Sequence, residues 1–254
     1  MSLQSRIFPV LLIRDRGLVK TRRFGDDRYV GDPLNAVKIF NEKEVDELAI
    51  FDIDATVQGR EPDFEDLRKI AAESRMPLCY GGGVNSAATA ARLVAIGYEK
   101  VSVSAAAVDR PALIREMAER VGRQSVVLTI DVVREGFLGG YAVRTRNATR
   151  KHKLGLLDFI AEAEELGAGE IVINSIDRDG TMEGYDLKLA RSVREKVSVP
   201  LSFVGGAGSL GDISALIDTI GTVGAGVGSL FVFNGPYRAV LISYARPASA
   251  GGAS

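Results

Sequence analysis

The sequence has little of what several protein classes require. It holds one cysteine, Cys79, so an intrachain disulfide is excluded and a reducing compartment is the expectation. It holds one histidine, His152, and no tryptophan, so neither a His-rich metal site nor a Cys–His dyad is expected. Charge of one sign is missing too: 32 Lys and Arg against 33 Asp and Glu leave a net charge of −1. That balance gives no electrostatic case for a nucleic-acid partner. No apolar run approaches the roughly 18 residues of a membrane-spanning helix, and the segment 1–6 has no signal-like apolar core. No membrane association and a cytoplasmic location are therefore expected, and no cofactor is called for.

What is present is a globular α/β pattern over 254 residues. Continuously apolar, β-branched runs at 7–13, 47–53, 77–81, 100–104, 125–132, 170–175, 200–204 and 222–228 predict strands buried on both faces. Helical patterns fall between them at 33–43, 62–74, 87–96, 111–121, 154–166, 187–197 and 210–220, with a short one near Pro236. Eight strand–helix units at this length predict an α/β fold of the (β/α)8 TIM-barrel type, one domain over 1–246 with a disordered tail from 247 to 254. An open doubly wound sheet predicts a Gly-x-Gly-x-x-Gly turn after the first strand, and Arg14-Asp15-Arg16-Gly17 is not one.

The chain also repeats itself. Glu47-Leu48-Ala49-Ile50 and Ile53-Asp54 recur 123 residues later as Glu170-Ile171-Val172-Ile173 and Ile176-Asp177. Pro77-Leu78 and Gly82-Gly83 recur at the same offset as Pro200-Leu201 and Gly205-Gly206. A half-barrel internal repeat explains one offset at two places. Two segments stand outside the pattern. A charged stretch at 15–30 reads as a long, mobile lid-like loop after strand one. A Gly-rich alternating stretch at 136–146 reads as a hairpin over the barrel mouth.

Chemistry in such a barrel belongs at the strand C-termini. Gly81-Gly82-Gly83 after strand three and Gly205-Gly206-Ala207-Gly208 after strand seven let backbone amides approach an anion. Ser104-Ala105 and Gly228-Ser229 extend the two clusters, which suggests a substrate with a phosphate at each end. Asp52, Asp54, Asp131, Asp177 and Asp179 end strands; Asp131 is the favoured general acid or base. At the opposite end Arg6, Glu47, Lys100 and Glu170 each precede an apolar run, as a salt-bridged plug or as a gate. His152 reads as a solvated loop residue and Cys79 as core.

These residues resemble HisF, the cyclase subunit of imidazole glycerol phosphate synthase, over about residues 5–243. The resemblance is carried by Asp46-Glu47-Leu48, Asp52-Ile53, Gly81-Gly82-Gly83, Lys100-Val101-Ser102 and Gly205-Gly206-Ala207-Gly208. Most specific is Asn174-Ser175-Ile176-Asp177-Arg178-Asp179-Gly180-Thr181, followed by Gly184-Tyr185-Asp186. The family implies a bis-phosphate ligand, a HisH-type glutaminase docked at the barrel bottom, and ammonia passing through the barrel. It implies Asp131 as catalytic residue and phosphate sites at Gly82, Gly83 and Ser104 and at Gly180, Gly205, Gly206, Gly228 and Ser229. Lys20, Asp52, Asn174 and Asp179 fall at the substrate, and Arg6, Glu47, Lys100 and Glu170 at an ammonia gate.

The sequence departs from the family at chosen places. Of two catalytic aspartates, on strands one and five, the first falls on Leu12. An Asn-Thr pair of the first phosphate site falls on Ser104-Ala105, the usual Thr of strand six on Asn174, and the usual Ser of strand seven on Val204. The resemblance therefore extends to HisF paralogues that work with a HisH-like glutaminase and a sugar amidotransferase on amidino-modified sugars of surface polysaccharide. A plain cyclase of histidine biosynthesis and a non-catalytic ammonia-conducting scaffold are the alternatives.

Overall fold

The structure is a computed structural model, described for residues 4–136 and 140–247. Eight parallel strands close on themselves: β1 (Arg6–Arg14), β2 (Leu48–Asp52), β3 (Leu78–Gly81), β4 (Lys100–Val103), β5 (Val126–Glu135), β6 (Glu170–Ser175), β7 (Leu201–Val204) and β8 (Gly224–Val227). Neighbours pair in chain order, β8 pairs with β1, and the ladder of β5 with β6 completes the circle. Outside lie α1 (Pro33–Glu42), α2 (Phe64–Glu73), α3 (Ala87–Ala95), α4 (Ala112–Val121), α5 (Leu156–Leu166), α6 (Leu187–Arg194) and α7 (Leu210–Ile220). This is the expected (β/α)8 barrel.

Alternation along each strand builds two cores. On β1, Ile7 and Leu11 point outward into the large layer between strands and helices. Phe8, Val10 and Leu12 point inward, with Ala49, Cys79, Val127 and Val172. Both faces are apolar because both are covered, which is why the strands read as unbroken hydrophobic runs. Cys79 is buried there, as expected.

The half-barrel repeat extends beyond the matching letters. At the offset of 123, β3 coincides with β7, and the helix caps coincide as well. Asp63 and Asp186 cap α2 and α6, and Ser86 and Ser209 cap α3 and α7. Gly82 and Gly205 take φ of 118° and 94°. A side chain there would meet the carbonyl ending the preceding strand, Asp52 at 2.3 Å and Ser175 at 2.7 Å. Glycine is thus demanded twice by the same backbone crossing.

Two expectations are corrected, and a third, the hairpin, is borne out with a longer first strand. The stretch 15–30 is not a loop: Gly17–Lys20 pairs antiparallel with β1, and Arg28–Gly31 pairs with Gly17–Lys20. Its turn places Asp15 and Arg16 at φ 47° and 64°, the twist a two-residue hairpin needs. Dense charge hid the short apolar pair Leu18-Val19, both buried. The hairpin of 136–146 exists, but β5 runs on to Glu135 to meet Gly140–Thr145, which Arg150–Lys151 then joins; residues 137–139 lie outside the described ones. Near Pro236 there is no helix: Phe233–Asn234 pairs with Ala239–Val240 across a turn containing Gly235, as Asn-Gly-Pro favours. The expected tail lies, past Pro247, outside the described residues. Among the described residues no helix is long and apolar enough to cross a membrane.

The duplicated caps make a direct test. Ser86→Ala and Ser209→Ala should each lower stability by about 1 kcal/mol in urea unfolding, since each hydroxyl accepts from the backbone N–H three residues on. A loss at one position without the other would show that the two halves are not equivalent in energy.

Candidate active site and charged ring

The mouth cavity at the strand C-termini collects nearly every expected site residue. Lys20, Asp52, Asp131, Asn174 and Asp179 line it, as do Gly82, Ser104, Gly180, Gly205, Gly206, Gly228 and Ser229. Gly83 is the exception among the expected ones. Its N–H donates to Thr56 Oγ1 at 3.1 Å, and a side chain there would meet the Arg60 carbonyl. It sits behind the wall and not in it.

Of five candidate aspartates, four are committed elsewhere. Asp52 accepts from Arg60 at 2.8 and 2.9 Å and from the amides of Asp54 and Ala55. Asp54 is paired with Arg14, and Asp177 accepts from the Arg134 amide at 2.7 Å, which anchors the hairpin. Asp179 accepts from Thr21 Oγ1 at 2.7 Å and from the Phe24 amide, clipping the strand-one insertion to the loop after β6.

Asp131 has no cation within ion-pair distance among the described residues. Asn174 Nδ2 donates to its Oδ1 at 2.9 Å, because the β5–β6 register sets the two side by side. Burial raises the carboxyl to about 7; the Asn174 hydrogen bond opposes this and the nearby Asp179 charge adds to it. Leu12, on the same cavity wall, supplies apolar surface and no proton. A carboxyl near neutrality can donate or accept a proton.

Lys20 stands at the other side. Its ammonium donates to the Val10 carbonyl and lies 3.0 Å from where a side chain at Gly228 would begin. Burial lowers it to about 8, partly offset by Asp179. The Gly228-Ser229 turn therefore has a cation beside it. Ser104 and Gly228 share an unusual backbone, φ/ψ of −133°/−92° and −98°/−89°, so the two turns are built alike. Sequence reasoning missed Arg146, which reaches the wall from the hairpin; its signal was an Arg-Asn pair at a turn, with no spacing to tie it to the mouth. His152, expected in solvent, is half-buried with Nε2 2.8 Å from Thr145 Oγ1.

At the barrel bottom the four expected charges form one closed ring. Arg6 donates to Glu47 at 2.8 Å and to Glu170 at 2.6 Å; Lys100 reaches the same two carboxylates at 2.7 and 2.8 Å. Ser202 adds a hydrogen bond to Glu170 at 2.6 Å. Burial pushes the Glu170 carboxyl up, but Lys100 and Arg6 outweigh it and hold it below the ordinary value.

Comparison with known proteins gives the family of the chain. The profile of the family described as histidine biosynthesis protein matches residues 6–237. A Vibrio vulnificus protein, provisionally named imidazole glycerol phosphate synthase subunit hisF3, is 51% identical over 96% of this chain and 94% of its own. A Pseudomonas aeruginosa protein, provisionally named hisF2, is 48% identical over 94% of this chain and 95% of its own. The HisF subunit of Streptomyces coelicolor is 40% identical over 86% of each.

The chain belongs to the HisF family.

This HisF-family barrel carries the charged ring at its foot and Asp131, hydrogen-bonded to Asn174, at its mouth. Two outcomes follow. Glu170→Gln should destabilise the barrel by about 3 kcal/mol in urea unfolding, since removing one member of a buried pair strands its partners. Asp131 holds its proton in the folded state from the ordinary value of 3.8 up to about 7, so folding stability falls across that window as pH rises. Asp131→Asn should therefore gain stability over the unaltered chain progressively between about pH 4 and 7 and hold that gain above it; a gain independent of pH refutes the raised value.

Proposed function

We propose that this HisF-family chain is the ammonia-using synthase subunit of a glutamine amidotransferase complex, acting on a phosphorylated acceptor other than the histidine-pathway ribonucleotide. A HisH-type glutaminase docks on the face bearing Arg6, Glu47, Lys100 and Glu170. Ammonia released there enters through the ring and crosses the apolar interior around Phe8, Ala49, Cys79, Val127 and Val172. Apolar walls favour the neutral molecule, because an ammonium ion pays heavily for losing water. At the mouth Asp131 takes or returns the proton as nitrogen adds to the bound acceptor, while the Gly206 and Gly228-Ser229 turns with Lys20 hold a phosphate. The setting is the cytoplasm.

The observation that carries the altered acceptor is the pairing of Asp131 with Leu12. Ring closure in the family's ordinary reaction uses an acid or base on each side of the mouth, and Leu12 leaves one side apolar. General acid–base assistance is worth about 10²–10⁴-fold, so the ordinary reaction should be slow. A grouping of relatives is in keeping with a branch apart from the plain cyclases: proteins with provisional HisF names match at 48–51% over 94–96% of the chain, whereas those named HisF outright match at 38–40% over 83–86%. Sugars destined for amidino modification, with a sugar amidotransferase as further partner, are the acceptor class proposed.

The test supplies the histidine-pathway ribonucleotide and ammonium. The unaltered chain should turn it over far below the usual 1–10³ per second. Leu12→Asp, combined with Ser104→Asn and Ala105→Thr, should raise the rate, and Asp131→Asn should abolish it. Ordinary turnover by the unaltered chain would make it a plain histidine-pathway cyclase.

A further inference from the structure

Arg146 is a cation on the mouth wall that no role above uses. It lines the mouth cavity near the Gly82–Ser104 end: its guanidinium meets the carbonyl of Thr56, whose hydroxyl accepts from the Gly83 amide, and Asp109, in the short helix that Ser104 opens. Its backbone and those of Asn147 and Ala148 take φ of 55°, 54° and 65°, three successive residues in the left-handed region. Non-glycine residues seldom adopt it, and such strain persists only where the surroundings enforce it. Here Thr149 enforces it: its amide and hydroxyl donate to the Arg146 carbonyl at 3.2 and 2.6 Å. The chain thus spends conformational strain to aim one side chain over the cavity.

That side chain has little to hold it. Nη1 lies 3.5 Å from the Thr56 carbonyl, and Nη2 lies 3.7 Å from Asp109. Asp109 is already paired with Arg150 at 3.0 Å. The other cations on the wall are better secured: Arg14 sits 2.9 Å from Asp27 and 3.0 Å from Asp54, and Lys20 donates to the Val10 carbonyl. A loosely paired guanidinium at a cavity wall is a fork of donors open to an oxyanion.

The half-barrel symmetry says where that oxyanion belongs. Strands one and five each open a half, and each carries an antiparallel insertion at its end. The first insertion sets Lys20 beside Gly228; the second sets Arg146 against Thr56 and Asp109, on the side of Ser104, whose turn is built like that of Gly228. We infer that Arg146 is the anion-binding residue of the Gly82–Ser104 end of the mouth, where its guanidinium fork takes a phosphate of the substrate. This rests on the phosphorylated-acceptor reading above. It also explains how that end can do without the Asn-Thr pair that Ser104-Ala105 replaces.

Backbone-amide NMR of the full chain, titrated with inorganic phosphate and separately with acetate, tests it. Phosphate should shift the amides of Gly82 and Ser104 as well as those of Gly206 and Gly228. Arg146→Ala should weaken the binding read at Gly82 and Ser104 about tenfold, the scale of one charged hydrogen-bond contact, and leave the other pair unchanged. Arg146→Gln should behave like alanine, and Arg146→Lys should fall between, keeping charge without the fork. Equal weakening at both ends, no weakening at either, or tighter binding of acetate than phosphate at Gly82 and Ser104 would overturn the inference. Shifts at Gly206 and Gly228 alone would overturn it while sparing the phosphate site there. No phosphate shift at either end would instead remove the phosphorylated-acceptor reading beneath it.

Discussion

The ladder between β5 and β6 is the constraint on which both ends of the molecule depend. Its six parallel partners, from Glu170 beside Val127 to Ser175 beside Val132, close the barrel. The same ladder fixes Glu170 in the charged ring at its foot and Asn174 against Asp131 at its top. Glu170 and Asn174 are four steps apart along the strand, about 13 Å at roughly 3.3 Å per residue. Side chains alternate, so Glu170, Val172 and Asn174 share the inner face while Ile171 and Ile173 join the outer core. A slip of one residue would turn Glu170 and Asn174 outward and expose isoleucines to the interior.

The two ends differ in how their charges are satisfied. In the ring, each cation faces two carboxylates and each carboxylate two cations, so the charges are nearly cancelled where water is scarce. At the mouth the charges are spaced by apolar surface and glycine turns. Asp131 depends on one neutral amide, Lys20 on one carbonyl, and Arg146 on contacts of 3.5 Å and longer. The ring is a finished network; the mouth is a set of unfinished ones.

Much of the fold was legible because the strands are buried on both faces and announce themselves as apolar runs. The site was legible where a glycine or an acid sits one step past such a run, as at Gly82, Gly205 and Asp131. Illegible were features set by contacts distant in sequence. Leu18-Val19 are too short a pair to read as a strand until β1 offers its edge. Asp52 reads like Asp131 in sequence, and only Arg60 and two amides distinguish them. Gly83 reads like Gly82, yet one faces the cavity and the other faces Thr56. Arg146 carries no spacing signal, since its place comes from a strained turn whose φ angles no letter pattern specifies.

Gly180 has a consequence of a different kind. It stands at φ 64°, and a side chain there would begin 2.1 Å from the Thr21 carbonyl and 3.1 Å from the Arg22 Cα. The loop after β6 and the insertion after β1 therefore fit together like two cogs, with no tolerance for a methyl group between them. A larger residue at 180 must first unseat the segment that carries Lys20 and Thr21. One backbone position thus ties together the two sides of the mouth, the loop that carries Asp179 and the segment that carries Lys20.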